Sequence, residues 1–484
     1  MRSNKFIIIF FLFFCSFFQV TSQNRPNILF ILSDDQRADA IGAYGNPYIQ
    51  TPNLDRLAAL GTKFTNNFCM GSEVSAVCRP SRAMLMSGRS LFHINPQLTD
   101  IKTMPQVLAE NGYVTFGTGK WHNGENSFEK SFQYGKNIFF GGMSDHFKVP
   151  VVDLRSTGGF SAINEEGFST KIFTNAALGF VDQYVANAEN KPFFMFVSYT
   201  APHDPRSPDL DYIDYYEPST LPLPPDFEVQ HYFNLGEIRR DEDLGAWPRT
   251  PKQIRMQLAD YYGLITQMDH EIGRILDRLQ SSELLENTLV IFSSDHGLSI
   301  GSHGLLGKQN LYEPSMKAPL IIKGPAIPAN ETRQALVYLY DIFPTVCDYL
   351  KIATPDSVDG ISFLPVIKGS IQATRNSLFT AYKNFHRAVR DHRWKLIRYP
   401  LLDYNQLFDL KNDPFELNNL TKKPEFQDKE EEMMTLLKEW QNKTDDRLPL
   451  TTSESIPFEF DVSNHKRIPD KHQPEYVLRK YFNE

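Results

Sequence analysis

Cysteine is scarce in this chain of 484 residues, and its scarcity excludes a small scaffold held together by disulfides. Of the four cysteines, Cys15 lies in an apolar N-terminal segment that would be lost with a signal peptide. Cys69, Cys78 and Cys347 then remain, and an odd number in an exported protein leaves at least one thiol unpaired. We expect Cys69 and Cys347 to be free thiols rather than one disulfide. Cys78 needs a separate explanation.

An excess of positive charge is also missing. Lys and Arg number 50 against 58 Asp and Glu, which gives a formal net charge of −8. Proteins that bind nucleic acid favour a basic balance, because they neutralise phosphates. We therefore expect no nucleic-acid partner, although an anionic substrate stays compatible with cations that are concentrated locally.

Long apolar runs are confined to the N-terminus. Residues 1–23, "MRSNKFIIIFFLFFCSFFQVTSQ", combine early basic residues, a short apolar run and a polar end, which is typical of a signal peptide. The apolar run from Phe6 to Phe18 is short for a membrane span, so an uncleaved anchor is the weaker alternative. We expect an exported protein, periplasmic or secreted, with no membrane contact after removal of the signal.

Internal repeats and low-complexity stretches are absent after residue 23, and the pattern is that of an α/β fold. Short runs rich in Ile, Val and Phe predict buried parallel strands, and helical patterns such as 253–280 lie between them. The strand-like runs are 27–33, 113–118, 192–200 and 288–294. We predict a catalytic domain over 24–374 and a smaller α+β subdomain over 375–484. Within the catalytic domain, 204–252 is expected to form a long surface excursion that is a rim of the active site.

Polar residues follow each of these four strand-like runs directly. Ligands in open parallel sheets bind outside the carboxyl ends of the strands, so four such cases together indicate one built site. The residues are Asp34 and Asp35, Lys120 and His122, His203 and Asp204, and Asp295 and His296.

The chemistry of this set points to a metal ion and an anion. Asp34, Asp35, Asp295 and His296 suit a hard divalent cation, although a lone Asp pair is often a helix cap. Lys120, His122, His203 and Lys308 add cations and acid–base groups. Any one of them alone is more often a solvated or structural residue. Together they suit a tetrahedral ester that needs charge stabilisation and a proton for its leaving group.

The motifs resemble those of the formylglycine-dependent sulfatase family. "CRPSR" at 78–82 fits the C-x-P-x-R signature, and "YVTFGTGKWHNG" resembles the second signature of the family. "SDHGLSIGSHGLLGKQNLYEPSMKAPLIIKGP" resembles the late block that carries metal ligands and a lysine, and "LFDLKNDPFELNNL" resembles the C-terminal subdomain. The similarity covers about 25–420 and is nearest in style to iduronate-2-sulfatase and to bacterial polysaccharide sulfatases of the ulvan type. It implies an alkaline-phosphatase-like fold, with a large mixed sheet sandwiched by helices.

The resemblance also explains Cys78. In this family the motif cysteine is oxidised to formylglycine by a maturation enzyme, and one hydroxyl of the hydrated aldehyde attacks sulfur at a metal ion. Carried over to this sequence, one ion, expected to be Ca²⁺, is held by Asp34, Asp35, Asp295, His296 and the modified Cys78. Arg82 would orient the diol, Lys120 and Lys308 would clamp sulfate, His122 would handle the second hydroxyl, and His203 would protonate the leaving oxygen.

The expected function is hydrolysis of O-sulfate esters on a sulfated polysaccharide or its oligosaccharides. Two alternatives stay open at this point. One is a phosphonate monoester or phosphodiester hydrolase of the same superfamily, and the other is a catalytically silent homologue that binds sugar. The presence of every expected polar residue argues against the silent homologue.

Overall fold

The computed structural model describes residues 25–189, 191–237, 240–459, 461–462, 465–468 and 470–482. The predicted signal peptide therefore lies outside the described residues. The strands are β1 Asn27–Ser33, β2 Thr62–Phe68, β3 Gly71–Ser72, β4 Val114–Lys120, β5 Tyr134–Phe139, β6 Phe193–Ser198, β7 Thr288–Ser294, β8 Lys317–Lys323, β9 Glu331–Arg333, β10 Val337–Tyr338, β11 Leu378–Tyr382, β12 His386–Arg390, β13 Trp394–Tyr399 and β14 Tyr404–Asp409. The α-helices are α1 Pro52–Ala59, α2 Cys78–Ser87, α3 Met104–Glu110, α4 Glu125–Ser131, α5 Ser169–Ala186, α6 Pro251–Ser281, α7 Glu313–Met316, α8 Ile342–Leu350, α9 Leu364–Ile367, α10 Gln427–Thr444 and α11 Glu475–Phe482.

The four predicted strands lie side by side in a nine-stranded sheet. Its order is β10-β2-β8-β7-β1-β6-β4-β5, with β9 paired to β2. Strands β7, β1, β6, β4 and β5 are parallel, whereas β8 runs antiparallel to β7. The expected large mixed α/β sheet is thus confirmed, and its four central parallel strands end at one common edge.

The buried strand β1 shows why these runs are apolar throughout. Ile28, Phe30 and Leu32 pack into one core cluster together with side chains of α2, α3 and α8. Leu29 and Ile31 point to the other face and pack with α1, α5 and α6. Both faces of the sheet are therefore covered by helices, and every residue of the strand is buried.

A second, five-stranded sheet is built mainly from the C-terminal part of the chain. Its order is β14-β13-β12-β11-β3, so the short strand β3 comes from the N-terminal part and pairs in parallel with β11. Gly71 of β3 has a φ of +106°, and a Cβ there would lie 1.9 Å from the carbonyl oxygen of Ala381. Only glycine fits this approach. The second sheet is therefore attached directly to the segment that leads into α2, and a boundary at residue 375 stays a prediction.

The segment 204–252 departs from the expected surface excursion. In its described residues the segment is irregular up to the start of α6 at Pro251, apart from the short 3₁₀ helices Pro218–Thr220 and Arg240–Leu244, but much of it is buried. Asp204, Arg206 and Asp241 are each at most 4 % exposed. The segment is therefore less exposed than expected, but it contributes Glu237, Arg240 and Asp241 to the lining of the cavity described below, which agrees with the expected rim. Among the described residues, no helix is both long and apolar enough to cross a membrane.

Candidate active site

The centre of the site is formed where β1 and β7 end next to each other. Ser33 and Ser294 are paired in register, so the residues that follow them, Asp34 and Asp295, emerge side by side. The backbone N–H of Asp35 donates to Oδ1 of Asp295 at 3.1 Å. Both aspartates after β1, together with Asp295 and the following histidine, are at most 1 % exposed. Parallel pairing alone therefore brings the four predicted metal ligands together.

Strand β4 contributes Lys120 to the same cluster. The Lys120 ammonium is fully buried and lies 2.5 Å from Oδ2 of Asp34. The residue before it, Gly119, has a φ of +88°, and a Cβ there would lie 1.8 Å from the carbonyl oxygen of Ser198 in β6. This glycine permits the close approach of the two strands that aims Lys120 inward. Against the effect of burial, Lys120 holds the pKa of Asp34 well below its usual range.

Helix α2 begins at Cys78, and Arg82 lies one turn further along. The Nε atom of Arg82 donates to Oδ2 of Asp295 at 3.0 Å. Its Nη1 donates to the carbonyl oxygen of Lys120 at 2.8 Å and to the Ser198 hydroxyl at 2.6 Å. The helix that presents the thiol is thereby fixed to strands β4, β6 and β7.

Lys308 connects the thiol to the carboxylate cluster. Its Nζ lies 2.7 Å from both oxygens of Asp35, 3.0 Å from Nε2 of His203 and 3.9 Å from Sγ of Cys78. Burial of the thiol disfavours its charged form, but Lys120 and Lys308 outweigh burial and hold the pKa of Cys78 well below its usual range. Cys78 therefore sits where negative charge is stabilised.

The two predicted histidines flank this thiol. The Nδ1 of His203 bonds to the carbonyl oxygen of Asp204 at 2.8 Å, which leaves Nε2 directed toward Lys308 and Asp35. Burial lowers the pKa of His203, but Asp35 and Asp204 outweigh burial and raise it to about 9. His122 has a φ of +68°, and burial lowers its pKa. His203 therefore favours the protonated form and His122 the neutral form, although both lie at the same site.

A cavity of about 790 Å³ opens onto these groups. Cys78, His122, His203 and Lys308 line it, whereas the predicted metal ligands, Lys120 and Arg82 are buried next to these four residues. All the predicted site residues are thus gathered in one place. Cys69 and Cys347 are free thiols, as expected, and both are buried.

Several residues of the cavity were missed from the sequence. They are Glu237, Arg240, Asp241, Gln309 and His472, together with an apolar part that includes Phe139, Phe140, Met143, Val152 and Ile163. Most of them lie in irregular segments without hydrophobic periodicity, so no pattern marks them. Gln309 is the exception, because it directly follows the lysine of the late sequence block.

The carboxylate cluster fits a hard divalent cation. Possible ligand atoms of Asp34, Cys78 and Asp295 lie within 4.8 Å of one another, as do those of Asp35, Cys78 and His296. Within the described part of the chain, Oδ1 of Asp34 and Nε2 of His296 are buried and make no hydrogen bond, and each lies 3.4 Å from an ion-pair partner, Arg82 or Asp35. Such buried atoms are costly unless another group satisfies them. Burial, aided by Asp34, raises the pKa of Asp295 to about 6. Crowded carboxylates with orphaned ligand atoms suit Ca²⁺ or Mg²⁺.

The fold and the site define a hydrolase of the alkaline phosphatase superfamily. Residues 26–352 match the family model described as "Sulfatase", and residues 301–443 match "N-sulphoglucosamine sulphohydrolase, C-terminal". The first match covers more than half of the chain. The protein therefore belongs to the sulfatase family and is a sulfuric ester hydrolase, as the motifs predicted.

Known proteins of this family cover most of the chain. An N-acetylglucosamine-6-O-sulfatase of Bacteroides thetaiotaomicron is 27% identical over 92% of this chain and 91% of its own length. An ulvan-active sulfatase of Formosa agariphila is 28% identical over 86% of this chain and 81% of its own length. A solved structure in complex with its substrate D-glucosamine-2-N,6-O-disulfate has a TM-score of 0.75 and 26% identity, covering 88% of this chain and 99% of that one. The alkaline-phosphatase-like fold is thereby confirmed.

The charge around Cys78 predicts selective alkylation in protein that retains the thiol. Burial raises the pKa of Cys69 to about 12 and that of Cys347 to about 11, whereas the pKa of Cys78 is lowered. Since the thiolate is the reactive form, iodoacetamide at pH 7 should modify Cys78 first. Peptide mass spectrometry over time measures the three rates, and the two other cysteines are internal controls. Equal rates for all three thiols in folded protein would contradict the electrostatic description.

Proposed function

We propose that this sulfatase hydrolyses O-sulfate esters of a sulfated carbohydrate. The main support is a cavity that brings Cys78, Lys308 and His203 together beside three buried carboxylates. Such a site offers a nucleophile position, cations for a tetrahedral anion and an imidazole for the leaving oxygen. The names of the relatives, an N-acetylglucosamine-6-O-sulfatase and an ulvan-active sulfatase, support a carbohydrate.

The residues that would hold the metal ion are Asp34, Asp35, Asp295, His296 and the modified Cys78. We propose Ca²⁺, since three carboxylate side chains form most of the donor set. When bound, the cation supplies positive charge that polarises the sulfate ester. The clustering of buried acids and the orphaned atoms of Asp34 and His296 support this assignment.

The proposed nucleophile derives from Cys78, converted to formylglycine by a maturation enzyme. The hydrated aldehyde supplies a hydroxyl group in place of the thiol. Cys78 is the first residue of α2, so the helix dipole favours negative charge there. Arg82, fixed by Asp295 and Ser198, would orient this group from the next turn of the same helix.

Two lysines would bind the sulfate group. In this structure Lys120 is held by Asp34, and Lys308 is held by Asp35, so both ammonium groups are already directed at the site. Sulfate oxygens would compete for these donors, which stabilises charge that develops during cleavage. His122, which lines the cavity beside Cys78, would hold the proton of the second hydroxyl.

His203 is the proposed proton donor to the leaving oxygen. Its Nδ1 is held by Asp204, so Nε2 is the atom that faces the site. A sugar alkoxide is a poor leaving group and needs that proton as the bond to sulfur breaks. The position of Nε2, hydrogen-bonded to the same lysine that lies near Cys78, supports this role.

We also propose that the protein is exported. The character of residues 1–23 supports export to the periplasm or the medium, where sulfated polysaccharides are encountered.

The phosphonate monoester or phosphodiester alternative is not favoured, because the family model and the named relatives are sulfatases. A silent sugar-binding homologue is not favoured either, since all the expected polar groups meet at the cavity.

Sulfate release from sulfated carbohydrates tests the proposed function. Wild-type protein coproduced with a maturation enzyme should release sulfate from N-acetylglucosamine 6-sulfate or from sulfated ulvan oligosaccharides. Cys78→Ala should lower the rate at least about 10³-fold, since it removes the nucleophile position. Parallel assays of the sulfate and phosphate esters of 4-nitrophenol separate sulfatase from phosphohydrolase activity. Preference for the phosphate ester would reject the proposal, and intact-mass analysis should show aldehyde in place of thiol at Cys78.

The metal assignment predicts a shared loss of ion and activity. Asp295→Asn keeps the size of the side chain but removes its charge, so Ca²⁺ occupancy measured by elemental analysis and sulfate release should fall together. Added Ca²⁺ should raise the melting temperature of the wild type more than that of the variant, because a ligand stabilises only the state that binds it. Asp277→Asn, at an exposed position on α6, is the matched control. Full activity of exhaustively chelated, metal-free protein would exclude the assignment.

The acid role of His203 predicts a dependence on the leaving group. His203→Ala should lower kcat on a sulfated sugar about 10²–10⁴-fold more than on 4-nitrophenyl sulfate, since nitrophenolate leaves without a proton. A residue that only binds sulfate would affect both substrates alike, because sulfate is common to them. His270→Ala, exposed on α6, controls for histidine loss. Equal losses on the two esters would refute the acid role and leave the sulfatase assignment intact.

A further inference from the structure

The C-terminal segment 470–482 returns to the catalytic part of the molecule. It lies beyond both family-model matches, which end at residues 352 and 443. Its helix α11 packs on α6, where Lys480 Nζ lies 2.7 Å from Oδ1 of Asp260 and the Tyr481 hydroxyl donates to Oδ2 of Asp260 at 2.6 Å. Val477 and Tyr481 are buried. The segment is therefore anchored by a buried acid and an apolar contact.

Asp470 joins this segment to the wall of the cavity. Its Oδ1 accepts the backbone N–H of His472 at 2.8 Å, and its Oδ2 accepts from Nε of Arg240. Arg240 also pairs with Asp204 and Asp241, and it lines the same cavity as Cys78. One carboxylate thus fixes both a cavity-lining arginine and the backbone at His472.

A second contact reaches the neighbourhood of the proposed proton donor. Nε2 of Gln473 donates to Oδ2 of Asp204 at 2.9 Å, and Oδ1 of Asp204 lies 3.2 Å from Nδ1 of His203. Asp204 is 4 % exposed, and Arg240 together with His203 holds its pKa well below its usual range against the effect of burial. The segment therefore contacts the carboxylate behind His203.

The side chain of His472 is directed at the cavity. It is partly exposed and lines the cavity together with Cys78 and His203. Within the described part of the chain, its imidazole makes no hydrogen bond, although its backbone is fixed by Asp470. A positioned imidazole with unused donor and acceptor atoms is suited to bind hydroxyl groups.

We propose that segment 470–482 is a specificity element of the active site, in which His472 binds the carbohydrate part of the substrate. Asp470 and Gln473 are positioning residues that hold this wall against Arg240 and Asp204. The cavity also has an apolar part with Phe140, which suits the apolar face of a sugar ring. This inference rests on the proposed function and adds to it the part of the chain that recognises the sugar.

His472→Ala in the full-length enzyme tests the inference. It should raise KM for the carbohydrate that the wild type desulfates, N-acetylglucosamine 6-sulfate or ulvan oligosaccharide. The ratio of kcat/KM for that carbohydrate to kcat/KM for 4-nitrophenyl sulfate should fall about tenfold, the size expected for one lost hydrogen bond. His472→Gln should restore much of the ratio, because an amide also donates and accepts. His392→Ala, at an exposed position in the β12–β13 turn, is the matched control and should leave the ratio unchanged.

The outcomes separate this inference from the proposed function. An unchanged ratio in His472→Ala, with wild-type carbohydrate activity present, overturns the inference alone. Equal losses on both substrates, or a similar loss for the glutamine variant, also overturn it, since they indicate a structural role. A wild type that hydrolyses 4-nitrophenyl sulfate but no sulfated carbohydrate rejects the proposed function, and the inference falls with it. Thermal melting of each variant verifies folding.

Discussion

The guanidinium of Arg82 is the interaction on which the arrangement of the site depends. It reaches residues of four adjacent strands: it bonds to Asp295 after β7, to Ser198 in β6 and to the backbone of Lys120 in β4, and it lies 3.4 Å from Asp34 after β1. Because Arg82 and Cys78 lie one turn apart on α2, these contacts fix the thiol relative to the sheet edge. A lysine could not replace the planar fork that bonds in several directions at once.

The buried acids of the site each have a cationic partner. Asp34 pairs with Lys120, Asp35 with Lys308 and Asp295 with Arg82. Burying such charges is costly. Removal of one partner from a buried pair destabilises the fold by roughly 3–5 kcal/mol, because the other charge is then left buried and unpaired. Yet within the described residues Oδ1 of Asp34 and Nε2 of His296 make no hydrogen bond, which leaves both atoms available to the proposed cation. Stability therefore requires that these carboxylates pair with protein cations, whereas the proposed function requires that they also bind a metal ion.

The candidate site residues could be grouped from the sequence because their placement follows from short-range order. Each of the four central strands is an apolar run, and the residues after it must lie at the carboxyl edge, so Asp34, His203 and Asp295 could be grouped without coordinates. Arg240 and His472 could not be predicted. Their positions depend on irregular segments and on contacts over more than 200 residues, such as Arg240 to Asp470. The pairing of β3 with β11 was equally invisible, since a two-residue strand has no period.

The residues near the sheet edge and those in the irregular segments of the cavity wall have different proposed roles. Most of the groups proposed for bond cleavage lie on α2, at the end of β4 or in the few residues that follow the central parallel strands, where the packed core opposes small displacements. Lys308 is the exception, because it lies in an irregular segment before α7. The remaining lining of the cavity, including Met143, Arg240 and His472, comes from loops and from the C-terminal segment. Such segments can change without disturbing the strand edge. The sulfatase family can therefore be recognised from the strands and motifs, whereas the proposed sugar specificity depends on segments whose sequence carries no periodic pattern.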